Sequence, residues 1–525
     1  MFSRQIHEKI YFYTLIFLAI SIPLSIFTTT IAQMILALNW IAELRFKEKW
    51  QRFKEDKALW LFMALIGLHI LGLLWTSDLA YGIKDIKIKM PLLALPLIMG
   101  TSVALIRKQV DLLLHFFVLA VFVATLASIM ALTGLLPVEV IDYRDISLFI
   151  SYIRFALLIV FAIAIIVYFL FFSGDKLNVY LKSFYMISLI WLPFFLVVLK
   201  SMSGIVIFII LLYFLLLKIT FRIRDSVIRF MVFVITLIIP LLSVAYIGYA
   251  IKRFNTVDIV TPADVDEKTI EGNAYLNLVE RKEIENGHYV WLHVCQVEME
   301  REWNRISEID YKAYTENGNL LEPTLIRYLT SRGLRKDAVG MSQLDEKDIK
   351  AIESGIANHI YLKRFALYPR IYEIIWEINR YRLGYSPNEK SMVMRLLYLD
   401  AGWNIAKDNL WYGVGTGDTP SEFEAYYESV NSPLEGEWRR RAHNQYLTFI
   451  MVFGLPGFIL CMISILVPVF MKRRWNSYML IVFFLIMGLS MLNEDTIETS
   501  AGVTPFALFY MLFVFGPAYK WLKNE

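Results

Sequence analysis

The residues best suited to chemistry lie in Arg439-Arg-Arg-Ala-His-Asn-Gln-Tyr-Leu447, where a polar segment gives way to an apolar one. His443 carries a side chain whose charge changes near neutral pH. Beside a basic run at a membrane surface, its imidazole can take a proton from a hydroxyl while cations hold an anionic, membrane-held substrate. Four more cations stand apart from that run: Lys89, Arg154, Lys200 and Arg395. The same stretch also fits a plain helix start at the interface, with Asn444 as its cap and the arginines reaching to headgroups.

Composition narrows the setting for this chemistry. The chain is 57% hydrophobic and only 19% charged, against about 45–50% and about 25% in a soluble domain. The apolar residues fall in blocks long enough to cross a bilayer, so the chain reads as a polytopic membrane protein. A net charge of +4 with no basic-aromatic repeat excludes nucleic acid as a partner. Cys295 and Cys461 fall in the polar segment and in an apolar block, so neither a disulfide framework nor a metal cluster is expected. No Gly-x-Ser-x-Gly turn suggests a serine hydrolase, and no cofactor is expected.

Apolar blocks near 11–27, 28–43, 58–75, 89–106, 110–134, 150–172, 184–199, 201–219, 229–251, 444–471, 477–492 and 502–518 predict an all-α fold with about twelve spans. The 11–43 region reads either as a hairpin turning at Thr28-Thr-Thr30 or as one long tilted helix. The first block has no small-residue cleavage site and reads as an uncleaved span. Three regions follow: a membrane part over 1–251, an extracytoplasmic helical segment over 252–441, and a second membrane part over 442–525. Lys and Arg set the orientation. Arg4 and Lys9, the runs Arg45 to Lys57 and Lys218 to Arg229, Arg107-Lys108, Lys472-Arg-Arg474, and Lys520 with Lys523 all fall on one side if both termini are cytoplasmic. Lys84, Lys87, Lys89, Arg154 and Lys200 then lie on the outer side, in or near apolar helices. Cations there are costly, which makes them functional candidates, although snorkelling to outer headgroups explains them too.

In the outer segment, apolar residues at helical spacing over 275–315, 322–333, 345–365 and 370–382 predict helices, with Pro323, Gly333 and Pro369 as breakers. The aromatic run from Tyr368 to Arg382 also suits a helix lying on the membrane. Ser391 to Lys407 is helical by periodicity and carries Arg395. It leads to Gly413-Val-Gly-Thr-Gly417, whose alternate glycines allow a sharp turn or a close backbone approach to a ligand. The last outer turn, Asn493-Glu-Asp-Thr-Ile-Glu498, is acidic and can complete a charged pocket.

One base among several cations suits a pyrophosphate leaving group. Arginine forks take up the charge that develops as the phosphate departs. On the outer face such a donor would be a lipid diphosphate. The order Arg395, Trp403, Gly413-Val-Gly-Thr-Gly417, His443-Asn-Gln-Tyr-Leu447 and Gly454-Leu-Pro-Gly457 resembles the shared region of the O-antigen ligase and polymerase superfamily. Trp75-Thr-Ser-Asp78 ahead of Lys89-Met-Pro91, the tight turn at 201–204 and the span layout are also similar.

The resemblance implies a GT-C-like membrane fold and a metal-independent, inverting glycosyltransferase in the bacterial inner membrane. It implies transfer of an O-antigen-like polysaccharide from undecaprenyl diphosphate to an acceptor at the periplasmic face, most commonly lipid A-core, in lipopolysaccharide biosynthesis. It makes His443 the base and Arg395 a diphosphate contact, with Arg154, Lys200 and Lys89 as further cations. Arg441, Asn444, Gly415, Gly417 and Glu494 would support them. The chain departs from the family in having Ser201-Met202 where Ser-Arg is frequent; Lys200 can supply that charge, but without a bidentate fork. A polysaccharide polymerase and a protein O-oligosaccharyltransferase are the alternatives within the superfamily. A lipid-linked glycan transporter is the alternative outside it, although no inverted repeat is seen.

Overall fold

A computed structural model describes residues 3–138, 143–174, 176–221, 223–258, 260, 265–363 and 367–519. Arg222, Lys520 and Lys523, used above for orientation, lie outside these, as does the end of the helix expected over 345–365. The chain divides into two compact units. The first comprises Met1–Arg222, Arg395–Ser432 and Arg439–Glu525; the second comprises Ile223–Met394 and Pro433–Trp438.

The chain is a polytopic, almost wholly helical membrane protein. Among the described residues, seven helices are long and apolar enough to cross a membrane: Lys57–Trp75, Arg107–Leu132, Tyr152–Phe172, Val179–Val198, Met202–Thr220, Ser226–Asn255 and Gln445–Met471. The other five apolar blocks form shorter or more polar helices. Arg4–Leu24 opens on a charged turn, and Ile26–Ala42 bends by 109° into the basic helix Phe46–Glu55. Pro91–Thr101 spans 11 residues between a lysine-rich helix and an extended break at Ser102. Tyr478–Ser490 and Ser500–Phe515 are also short. The 11–43 region is a hairpin, but it turns at Ser25. The Ser25 hydroxyl caps the second helix at Thr28, and His7 and Asn39 at the far ends hydrogen-bond at 2.8 Å.

In the first unit, the Tyr152–Phe172 helix is the most enclosed: 83% of its apolar window is buried. A helix apolar on every face belongs in the middle of a bundle. Its Phe161 meets Phe509 and Phe513 edge to face, and Phe509 meets Phe117 in the same way. Its N-terminal end carries buried Arg154, and the Ser151 hydroxyl caps it.

The Gln445–Met471 helix is broken at Gly454, whose φ of 67° and ψ of −179° are open only to glycine. Pro456 sits at the start of the second half, where its missing N–H costs nothing. A break inside an apolar span frees backbone groups that must find partners. The Val414 and Gly415 amides donate to the carbonyls of Met451 and Val452 at 2.9 and 3.0 Å, and the Leu455 amide donates to Leu410 at 2.7 Å. The alternate glycines thus permit approach to the chain itself. A Cβ at Gly413 would lie 2.3 Å from Val452, and one at Gly417 would lie 2.1 Å from the Asp78 carbonyl. Asp418 completes the junction by accepting from the amides of Ser77 and Asp78 at 2.8 and 2.7 Å. Gly454→Ala combines a forbidden conformation with a Cβ 2.5 Å from Trp411. It should lower stability by about 3 kcal/mol or more, read as a fall in the thermal unfolding midpoint of the purified protein. A wild-type midpoint would refute this account of the break.

The second unit contains the Ser226–Asn255 helix and the polar segment as far as Met394, with Pro433–Trp438. Its helices Gln296–Ile306, Leu321–Ser331 and Glu346–Glu353 close over Trp303, Leu325, Tyr328, Leu329 and Ile352. The helix expected from 275 begins only at Gln296. Tyr275 and Leu278 instead lie in extended chain beside a small hairpin, Ile284–Glu285 with His288–Tyr289. The aromatic face of Leu367–Arg382 packs on protein: Tyr368 and Tyr372 join Ala250 and Phe254 in a buried cluster. Buried Glu285 ties the unit together by accepting from Arg327, Asn358 and Tyr372 at 2.7, 2.7 and 2.9 Å.

Candidate active site

The Gln445–Met471 helix begins where Asn444 leaves the extended region and its side chain accepts from the Leu447 amide at 3.0 Å. The expected cap is therefore present. The Asn444 amide group also donates to the Leu492 carbonyl at 2.9 Å, and the Gln445 backbone donates to Met491 at 2.8 Å. These bonds fasten the helix start to the turn after Tyr478–Ser490. His443, one residue earlier, has φ 49°, the left-handed region that non-glycine residues seldom occupy. Its imidazole is half-buried, with the Tyr398 ring 5.9 Å away.

The charges around His443 come from three different parts of the chain. Burial lowers its pKa below the ordinary imidazole value. Glu494 opposes this, while Arg395, Arg440 and Arg154 add to it. The ring is therefore neutral at neutral pH and able to accept a proton. Arg395 lies near the start of the Ser391–Asp408 helix, partly exposed, one helical turn before Tyr398.

Beneath this surface lies a buried ion network. Lys89 is 1% exposed and sits between Asp85 at 2.5 Å and Glu498 at 2.6 Å. The other oxygen of Glu498 accepts from Gln445 at 3.0 Å, and Arg441 reaches Glu498 at 3.5 Å and donates to the Tyr81 hydroxyl. Burial works against the Glu498 charge, but Lys89 and Arg441 outweigh it and hold the carboxylate well below its usual range. Arg154 donates to the Asp495 and Thr496 carbonyls at 2.8 and 3.3 Å and lies 3.8 Å from Glu494. Thr448 donates to the Asp495 carboxylate at 2.9 Å. The acidic turn 493–498 is thus pinned from four sides, and the Asn493 amide reaches Ser203 at 2.6 Å.

The site residues expected from the sequence fall into distinct settings. Arg395, Arg154 and Glu494 act on His443 directly through their charge. Arg441 and Asn444 join the His443 stretch to the acidic turn. Lys89 is enclosed, with both neighbouring carboxylates taking up its charge. Lys200 is exposed in the turn before Met202–Thr220, with φ 52°. Gly415 and Gly417 press against Gly72, Thr76 and Asp78. Asp85, Tyr81, Tyr398, Gln445 and Glu498 were not among those expected, although the i,i+4 spacing of Asp85 and Lys89 is visible in the sequence. Among the described residues, no group of three or more His, Cys, Asp or Glu converges as a metal site would.

No curated protein matches the chain. Residues 360–462 match the family model described as O-antigen ligase, a stretch that includes Arg395, the glycine turn, His443 and the Gly454 break. Through this segment the chain is similar to the O-antigen ligase superfamily.

Proposed function

We propose that the chain is a metal-independent, inverting glycosyltransferase of the bacterial inner membrane. It moves an O-antigen-like polysaccharide from undecaprenyl diphosphate to lipid A-core at the periplasmic face. Both termini are cytoplasmic and the polar segment is periplasmic. The observation that carries this reading is His443, a neutral, half-buried imidazole just before the helix start, under the charges of Arg395, Arg440 and Arg154. An acceptor hydroxyl gives its proton to His443 as its oxygen attacks the anomeric carbon of the donor. The bond from that carbon to the diphosphate oxygen breaks on the opposite face, which inverts the centre. Arg395 takes up the negative charge that forms on the leaving diphosphate. Arg154, besides its charge at His443, fixes the turn that carries Glu494, and the Lys89–Glu498–Arg441 network acts at one remove by fixing the same turn.

Deletion of the gene tests the reading in cells. Lipopolysaccharide should lose its polymer while lipid-linked glycan accumulates; intact polymer would overturn the assignment. Arg395→Ala removes a charge-assisted contact worth about 1.5–3 kcal/mol, so donor affinity should fall roughly tenfold to a hundredfold. Arg395→Lys should recover only part of this, because an ammonium lacks the fork. Unchanged donor affinity in Arg395→Ala would end the diphosphate role.

The pH profile is a further test. A base is active when deprotonated, and the His443 pKa is lowered from 6.5. Transfer at saturating donor should therefore stay high at pH 6.5 and fall only as pH drops further. A limb centred above 6.5 would contradict a neutral, partly desolvated His443.

A further inference from the structure

The second unit contains a cleft that the proposed chemistry does not use. It has a volume of about 590 Å³ and lies between the Leu321–Ser331 helix, the loop at 355–357 and the Leu367–Arg382 helix. That size falls within the usual range for small-molecule sites. Asn319, Arg327, Tyr361, Trp376, Glu389 and Lys390 line it. The Trp376 ring is half-buried and held in place. The Arg327 guanidinium lies 4.3 Å from its centroid and is itself fixed by buried Glu285 at 2.7 Å. Asn319 is exposed at the cleft, an amide with both donors and acceptors. At the lip, Glu389 takes φ 66° within a turn closed by the Lys390 amide on the Pro387 carbonyl. A glutamate gains nothing locally from the left-handed region, and such strain concentrates at binding sites.

The chemistry of this lining favours one class of ligand. A rigid aromatic face offers stacking to the C–H side of a pyranose ring. Amide, hydroxyl and carboxylate groups around it match sugar hydroxyls, which both donate and accept. Three cations lie around Trp376, but Arg327 is paired with Glu285 and Arg380 with Glu283, and Lys390 stands beside Glu389, so the cleft offers no cluster of uncompensated cations for a phosphate. We infer that this cleft is an oligosaccharide-binding site that holds a stretch of an uncharged glycan chain away from the reacting end. The inference rests on the glycosyltransferase reading for the source of the glycan, but the site binds sugar whether or not His443 is the base.

Its test uses the full chain in detergent and, as probe, the glycan released by mild acid from the host's lipid-linked pool, with the diphosphate and lipid removed. Wild-type protein should bind this free glycan, and His443→Ala should bind it equally well. Trp376→Ala should weaken binding about tenfold or more. The exposed changes Asn319→Ala and Glu389→Ala, which leave the packed core untouched, should each weaken it measurably. All three should keep the wild-type turnover at saturating donor and raise the KM for long glycan donors. Two results would overturn the cleft: no binding by a wild-type protein that still transfers glycan, or wild-type affinity in both Asn319→Ala and Trp376→Ala. Loss of the transferase reading gives a different pattern, with full transfer by His443→Ala and glycan binding unaffected.

Discussion

His443→Ala should reduce glycan transfer by about two to four orders of magnitude, the span a positioned general base supplies. The variant should still insert in the membrane and bind lipid-linked donor, because the donor contact is assigned to Arg395. Alanine leaves the backbone in the left-handed region, so a companion His443→Asn variant, which tolerates that region better, separates lost chemistry from lost local geometry. Both variants should be inactive, with unfolding midpoints near wild type. Donor turnover is the measurement, followed as loss of lipid-linked glycan. Transfer at the normal rate in either variant would sink the assignment of the base.

The second large effect is on stability. Glu498→Ala leaves Lys89 enclosed with one carboxylate in place of two and strips Arg441 of its anion. Breaking a buried ion network on one side costs about 3–5 kcal/mol, because the remaining charge stays desolvated. The unfolding midpoint of the purified protein should fall accordingly, and Lys89→Met alone should do the same by exposing Asp85 and Glu498 to each other. Removing Lys89 and its two carboxylates together, Lys89→Met with Asp85→Asn and Glu498→Gln, should recover part of the loss, since no charge is left enclosed around position 89 and only half-buried Arg441, which keeps the Tyr81 hydroxyl, lacks its anion. Three midpoints equal to wild type would show that the network bears no load. A triple variant worse than either single one would show that it acts through charge rather than through satisfied burial.

Much of the protein was legible because the responsible signals are local. Hydropathy reports itself within about twenty residues, and it identified a polytopic helical protein and each of the seven helices long enough to span a membrane. The Asn444 cap and the helix carrying Arg395 are each written within a few consecutive residues, whereas 444–471 read as one unbroken span and its break at Gly454 came only from the structure. Local signals also misled. Apolar residues at helical spacing after Tyr275 belong to extended chain. The twelve apolar blocks did not reveal that five would form helices too short or too polar to count by the same measure.

The pairing of distant residues needed the tertiary structure. Lys89 meets Glu498 across 409 positions, and Ser77 meets Asp418 across 341. Nothing in either neighbourhood names its partner. Read alone, Lys89 was an outward cation available to a diphosphate; folded, it is an enclosed charge between two carboxylates. The alternate glycines at 413–417 suited a ligand or a turn equally; folded, they let the chain satisfy the carbonyls of its own broken helix. By itself the sequence determined the membrane class, the family motif order and the candidate base, because these depend on residue type and short spacing. Only the tertiary structure decided which cations remain available around His443, because burial and ion pairing are properties of neighbours in space.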